Sequence, residues 1–228
     1  MPIGESSSRN PRWAAQPANL LTRAKRRQLA NSASSANSAT LISMPRAYIA
    51  LGSNLPSPAG PPDATLAAAL EKLATLGRIT ARSSLYSTEP VGLAPGYSDQ
   101  PRFLNAVVAL GTAIAPFDLL ASLLAIEFNF GRDRSASVLN GPRTLDLDIL
   151  LYGDLVLSMA GLEIPHPRLA QRAFVLVPLA EIAPTLRDPR SGLTAAQLLD
   201  HLLANLAPAK SGLEPAVARI QSPLWAAT

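Results

Sequence analysis

The chain has 228 residues, 48% hydrophobic and 16% charged, enough for one domain with a sizeable core and too apolar for a disordered protein. No run of about 18 apolar residues occurs, which argues against a membrane-spanning helix; the lack of cysteine excludes disulfides, thiolate metal sites and cysteine nucleophiles, and fits a reducing cytoplasm. The net charge of +4 belongs to one end: residues 1–43 carry +5 and the remainder −1, so basicity says little about what the folded part binds.

Residues 1–43 are rich in Ser, Asn, Ala and Arg, and Asn31–Ser38 approaches low complexity. A disordered or upstream-translated extension, an organelle transit peptide and a nucleic-acid-binding arm all match this composition; secretion does not, because no apolar segment follows the Arg cluster. Met44 directly precedes the first strand and is the expected start of the folded part. The expected division is a disordered basic extension over 1–43, a domain over 44–206 and a loose C-terminal tail over 207–228.

Arg46–Leu51 reads as a strand, stopped by Gly52-Ser53-Asn54-Leu55, with Gly52 where a backbone or ligand comes close. Asp63 is the expected N-cap of a helix whose Leu66, Leu70 and Leu73 form an apolar stripe ending near Gly77. Neither G-x-x-x-x-G-K-[ST] nor G-x-G-x-x-G occurs, so both of those phosphate-binding loops are excluded. Ile79–Tyr86 reads as a second strand, and Ser87–Gly96, with Pro and Gly throughout, as a long binding loop or lid. Phe103–Leu110 is a third strand on which Phe103 and Asn105 share a face. An aromatic plate beside a carboxamide suits a flat heterocycle, although Phe103 alone also reads as core.

Ala115-Pro116 opens a helix with Leu119, Leu120, Leu123, Ile126 and Phe130 as its buried stripe and Gly131 at its end. Glu127 lies near that stripe, where a carboxylate needs a base, a ribose hydroxyl or an arginine as partner. Arg132–Asn140 is a polar loop with two arginines, suited to stabilising charge beside a site that excludes water.

That loop leads into Gly141–Tyr152. At period two, Thr144, Asp146, Asp148, Leu150 and Tyr152 share one face of a strand, and Leu145, Leu147, Ile149 and Leu151 the core face. Two carboxylates two apart on one face sit roughly 7 Å apart at Cα and would repel without a cation or proton between them. Hard cations such as Mg²⁺ suit them, and Arg143 at the rim can fork onto phosphate oxygens. D-x-D alone also fits an edge strand with a solvated polar face; the arginines beside it turn the reading to a metal–nucleotide site. Farther on, Leu155–Leu157 is an expected strand of a hairpin, and Ile164–Arg168 is held extended by its prolines. His166 there is either structural or a phosphate contact beside Arg168 and Arg172. Phe174–Ile182 is an expected helix, Thr194–Gln197 a capping box before a last helix over Leu198–Leu206, and His201 has no assigned role.

Four motifs in one order, AYIALGSNL (47–55), QPRFLNA (100–106), GPRTLDLDI (141–149) and IPHP followed by RAFVL (164–176), resemble the 6-hydroxymethyl-7,8-dihydropterin pyrophosphokinase family over about 47–185. The resemblance implies an α+β, ferredoxin-like fold with an antiparallel sheet layered with helices, ATP as pyrophosphoryl donor, two Mg²⁺ ions and AMP as product. It implies Asp146 and Asp148 as metal ligands, and Phe103 and Phe174 as the pair that sandwiches the pterin. Asn105 and backbone groups at Thr88 and Val91 would read the pterin edge, with Gly52 the close-approach glycine. Glu127, Arg132, Arg143, Ile149, His166 and Arg172 would contact nucleotide and phosphate, with Arg132, Arg143 and the two aspartates catalytic. Expected partners are these small molecules, not nucleic acid or membrane, for a cytoplasmic monomer. The chain departs from some members at Phe103 (Tyr there), Asn140 (a nearby Trp there), and Leu124 and Gly161 (polar there). The rival readings are another Mg-dependent phosphotransferase or nuclease, and a non-catalytic ferredoxin-like binding module.

Overall fold

The computed structural model describes residues 44–91, 100–134, 140–206 and 217–227. The expectations for 1–43, and the portions of the two loops at 92–99 and 135–139, lie outside the described residues, as does 207–216 of the tail. The strands are β1 (Arg46–Ser53), β2 (Arg78–Arg82), β3 (Leu85–Thr88), β4 (Phe103–Gly111), β5 (Asp146–Tyr152), β6 (Leu157–Met159), β7 (Leu162–Ile164) and β8 (Ala218–Ile220). One antiparallel sheet runs β5-β1-β4-β3-β8, with β2 also paired to β4, and β6 and β7 form a separate hairpin.

Both faces of the sheet are covered, so its central strands carry apolar residues on both sides. On one face Ile49, Leu51, Val108, Leu147 and Ile149 pack with Leu66, Leu70 and Leu73 of helix α1 (Pro62–Ala74) and Leu119 and Leu123 of α2 (Pro116–Asn129). On the other, Tyr48, Val107, Ala109 and Leu150 pack with Val175, Leu176 and Leu179 of α3 (Ala173–Ile182) and Leu198 of α4 (Ala195–Leu206). This is the α+β, ferredoxin-like arrangement the resemblance implies. The second face runs beyond α3 at one end, and there its inward residues become polar. Among the described residues no helix is long and apolar enough to cross a membrane.

Three local expectations are corrected. The strand read over Ile79–Tyr86 breaks after Arg82, and its two pieces pair with different lengths of β4. Ser83 makes the break: its N–H donates to the Val107 carbonyl (2.9 Å) while its Oγ accepts from the Val107 N–H (3.0 Å). The hairpin exists but starts at Leu157, not Leu155. Helix α1 begins at Pro62 with Pro61 as its cap, since proline supplies the first-turn φ; Asp63 instead accepts from Ser222 Oγ (2.9 Å).

Ser222 introduces the largest correction. Part of the expected loose tail is built into the domain: β8 pairs with β3, and Trp225 of the short helix α5 (Pro223–Ala227) is 5% exposed. The indole Nε1–H donates to the Ser83 carbonyl (2.9 Å) and the ring takes the Arg82 guanidinium on its face (5.0 Å).

Candidate active site

The register of three strands makes the floor of the site. Gly52 of β1 stands between Asn105 of β4 and Asp146 of β5, and Ala50 stands between Val107 and Asp148. The two small residues leave a trough between carboxamide and carboxylates. A Cβ on Gly52 would lie 3.2 Å from Asn105 Oδ1, so any larger residue here presses on the carboxamide. Phe103 and Asn105 share the trough face, with Phe174 and Arg172 facing it from the start of α3; Thr88, Val91, Arg143 and both aspartates complete the cleft. The Thr88 Oγ1 accepts from Asn105 Nδ2 (2.8 Å), which fixes the direction of the carboxamide.

Guanidiniums and one imidazole ring the aspartates at ion-pair distance. Asp146 has Arg132 at 3.4 Å, Arg143 at 3.5 Å and Arg134 at 3.7 Å; Asp148 has His166 Nε2 at 3.8 Å and Arg172 at 3.9 Å. None of these is a close hydrogen bond. Arg132 Nε and Nη1, Arg143 Nε and Thr144 Oγ1 are buried and meet no protein partner. With Arg134 committed to Glu127, Arg132, Arg143 and Arg172 outnumber the two aspartates, so the cleft is built for a further anion. Burial lowers the pKa of the Arg132 and Arg172 guanidiniums, the direction expected where solvent is excluded. Arg143 and Arg172 also lie over the rings of Phe103 (4.9 Å) and Phe174 (5.4 Å).

The donor set fits Mg²⁺. The aspartate side chains are 21% and 33% exposed toward the cleft. No group of three or more His, Cys, Asp or Glu that could hold a metal occurs among the described residues. An ion here would complete its shell with water and phosphate oxygens, the habit of Mg²⁺ rather than Zn²⁺.

His166 is brought to Asp148 by a device the sequence hid. β1 and β5 pair Ile49 with Ile149 but Tyr48 with Leu151, leaving Leu150 as an extra, bulged residue. The Leu150 carbonyl accepts the His166 N–H (2.8 Å), and His166 Nδ1 accepts from the Arg168 N–H (3.1 Å). The proton therefore sits on Nε2, facing Asp148; burial lowers the His166 pKa, the largest influence on it, so the ring is neutral near pH 7. The bulge also corrects the period-two reading beyond Ile149: Leu151 joins Leu150 on the α3 face, and Tyr152 turns to the α2 face.

Two residues assigned to nucleotide have their side chains buried against protein. The Ile149 side chain is 4% exposed in the core beneath β5, because the strand alternation that aims Asp148 at the cleft turns its neighbour away. Glu127 takes the arginine among its open partners: Arg134 Nε and Nη2 each donate to it at 2.7 Å. In the sequence Arg134 counts only as one of two loop arginines, although a buried carboxylate seven residues upstream was a signal for this pairing. Asn54 was missed too; it is 3% exposed, its Oδ1 accepts the Arg143 N–H (2.7 Å) and its Nδ2 donates to the Pro101 carbonyl (3.0 Å).

A carboxylate pair inside a ring of guanidiniums, beside an aromatic plate and a carboxamide on an antiparallel α+β sheet, defines a site for phosphorylated ligands. A family model described as 7,8-dihydro-6-hydroxymethylpterin-pyrophosphokinase matches residues 48–184, and the chain belongs to that family. It is 51% identical over 144 residues to a 2-amino-4-hydroxy-6-hydroxymethyldihydropteridine pyrophosphokinase of Pseudomonas aeruginosa, covering 63% of this chain and 84% of the relative. It is 42% identical over 167 residues to the protein of that name in Haemophilus influenzae, covering 71% and 98%. Among solved structures, wild-type HPPK-DHPS of Plasmodium falciparum with pteroate superposes with a TM-score of 0.58 at 15% identity, covering 77% of this chain. The chain spans about half of that one (47%), and the likeness is one of fold.

Proposed function

We propose that the cleft transfers the terminal diphosphoryl group of ATP to the hydroxymethyl oxygen of 6-hydroxymethyl-7,8-dihydropterin, giving the pterin diphosphate and AMP in folate synthesis. The observation that carries this reading is the excess of buried guanidinium donors over Asp146 and Asp148, next to the Phe103–Asn105 face. Phe103 and Phe174 hold the heterocycle by stacking; Asn105, oriented by Thr88, reads its edge, together with the backbone at Val91. Gly52 lets the ring come close. The pterin oxygen bonds to the β-phosphorus, the bond from that phosphorus to the oxygen of the α-phosphate breaks, and the hydroxyl proton leaves to solvent or an acceptor oxygen. Asp146 orients the hydroxyl. Arg132 and Arg143 stabilise the charge that develops on the phosphoryl oxygens, and Arg172 and His166 bind phosphate. Asp146 and Asp148 would hold two Mg²⁺ ions, which when bound would neutralise charge on the triphosphate.

We further read the protein as a cytoplasmic monomer whose partners are these small molecules, with residues 1–43 outside the catalytic domain. Sedimentation in solution tests the oligomeric state. The functional test is AMP release from ATP, required to depend on both Mg²⁺ and the hydroxymethyl pterin. AMP formed equally without the pterin refutes the acceptor; transfer undiminished by chelation refutes the metal.

A further inference from the structure

We propose that Glu127 is a positioning residue that clamps the Arg132–Arg134 segment to the edge of the aspartate strand, and not a ligand of the nucleotide; this rests on reading the cleft as a pyrophosphokinase site. The side chain is 1% exposed. Its contacts are with protein on every side. Oε1 accepts the Leu147 N–H and Arg134 Nη2–H, both at 2.7 Å, and Oε2 accepts Arg134 Nε–H at 2.7 Å. Its main-chain carbonyl accepts the N–H of Arg132 (3.0 Å).

Each contact has a physical origin. β5 is the last strand on its side of the sheet, so an amide turned away from β1 needs an acceptor from elsewhere. Leu147 is that amide, and it lies between Asp146 and Asp148. A buried carboxylate in turn needs a cation, and Arg134, whose side chain is 47% exposed, reaches it from the solvent side. The fork geometry gives direction as well as charge, and the hydrogen bonds to Glu127 raise the Arg134 pKa. One carboxylate thus ties α2, the arginine segment and the D-x-D strand together. Arg132, held at both neighbouring points, keeps its Nη2 3.4 Å from Asp146.

Glu127→Gln preserves the acceptor for Leu147 but turns an amide N–H toward Arg134. The experiment uses the full chain with Mg²⁺, comparing wild type, Glu127→Gln, Arg132→Ala and the double variant. Single-turnover transfer is measured beside equilibrium binding of a non-hydrolysable ATP analogue. Misplacing Arg132 by about 1 Å is expected to slow the chemical step by about 100-fold, with analogue affinity nearly unchanged. Because Glu127 acts through Arg132, the double variant should be little slower than Arg132→Ala alone. Analogue affinity that falls as far as the rate makes Glu127 a nucleotide ligand, and fully multiplicative losses make it independent of Arg132; either overturns the proposal. Should Glu127→Gln fail to fold, Arg134→Leu breaks the same clamp from its exposed side and must show the same non-additivity. A wild type without transfer refutes the functional reading and this proposal with it, whereas an active wild type with an equally active Glu127→Gln refutes the clamp alone.

Discussion

Gly52→Ala tests whether the trough between β4 and β5 is what admits the pterin. Gly52 does not have a positive φ, so alanine fits the backbone and the whole effect is steric. The new Cβ would lie 3.8 Å from Asp146 Cβ, ordinary contact, and 3.2 Å from Asn105 Oδ1, which must give by a few tenths of an ångström. Asn105 is 7% exposed and tied to Thr88 Oγ1 at 2.8 Å, so it moves only by turning its carboxamide off that bond or off the ligand edge. Losing one or two hydrogen bonds at about 0.5–1.5 kcal/mol each gives roughly 1–2 kcal/mol, or about 5- to 30-fold in pterin affinity. Isothermal titration of the variant with the hydroxymethyl pterin, in the presence of a non-hydrolysable ATP analogue, measures this. A separate titration with the analogue alone should match wild type. Unchanged pterin affinity would refute the argument, and so would an equal loss of analogue affinity, which would mean that Asp146 had moved instead.

Asp146→Ala or Asp148→Ala should cut transfer by roughly 100- to 1,000-fold, typical of one electrostatic group in such a site, with the thermal transition retained; near-normal AMP release at limiting Mg²⁺ would reject the ligand role. Trp225→Ala should cost about 3–5 kcal/mol in denaturant unfolding, since it removes a buried ring and its bond to the Ser83 carbonyl; a loss below about 1 kcal/mol would mean that the C-terminal segment contributes little. Because burial lowers the His166 pKa, the unfolded chain binds that proton first as pH falls. His166 therefore subtracts nothing above about pH 6.5 and costs stability as pH drops toward its folded value; His166→Gln should flatten that slope in unfolding experiments, and an unchanged slope would refute it. A chain beginning at Met44 should melt and turn over like the full chain, and a large drop in either would place residues 1–43 within the domain.

The chemistry of the site was legible because it is local. Asp146 and Asp148 share a face by strand period, Phe103 and Asn105 do the same, and the order of four motifs named the family. Those patterns survive in one dimension because neighbouring side chains fix them. What the tertiary structure decided depends on strands meeting. The bulge at Leu150 arises from the β1–β5 register, and hydrophobic alternation along β5 gives no hint of it; yet it turns out the carbonyl that holds His166 at Asp148. The partner of Glu127 stayed open in the sequence, since a buried carboxylate states a need without naming the cation that meets it. Residues 218–226 read as a tail because three strand residues and one Trp carry little period of their own; they are ordered by the free edge of β3 and the pocket at Ser83. The sequence by itself determined which side chains could share a strand face and which family the chain belongs to. The pairing of β4, β1 and β5 decided how closely they stand, because register is set by contacts far apart in the chain.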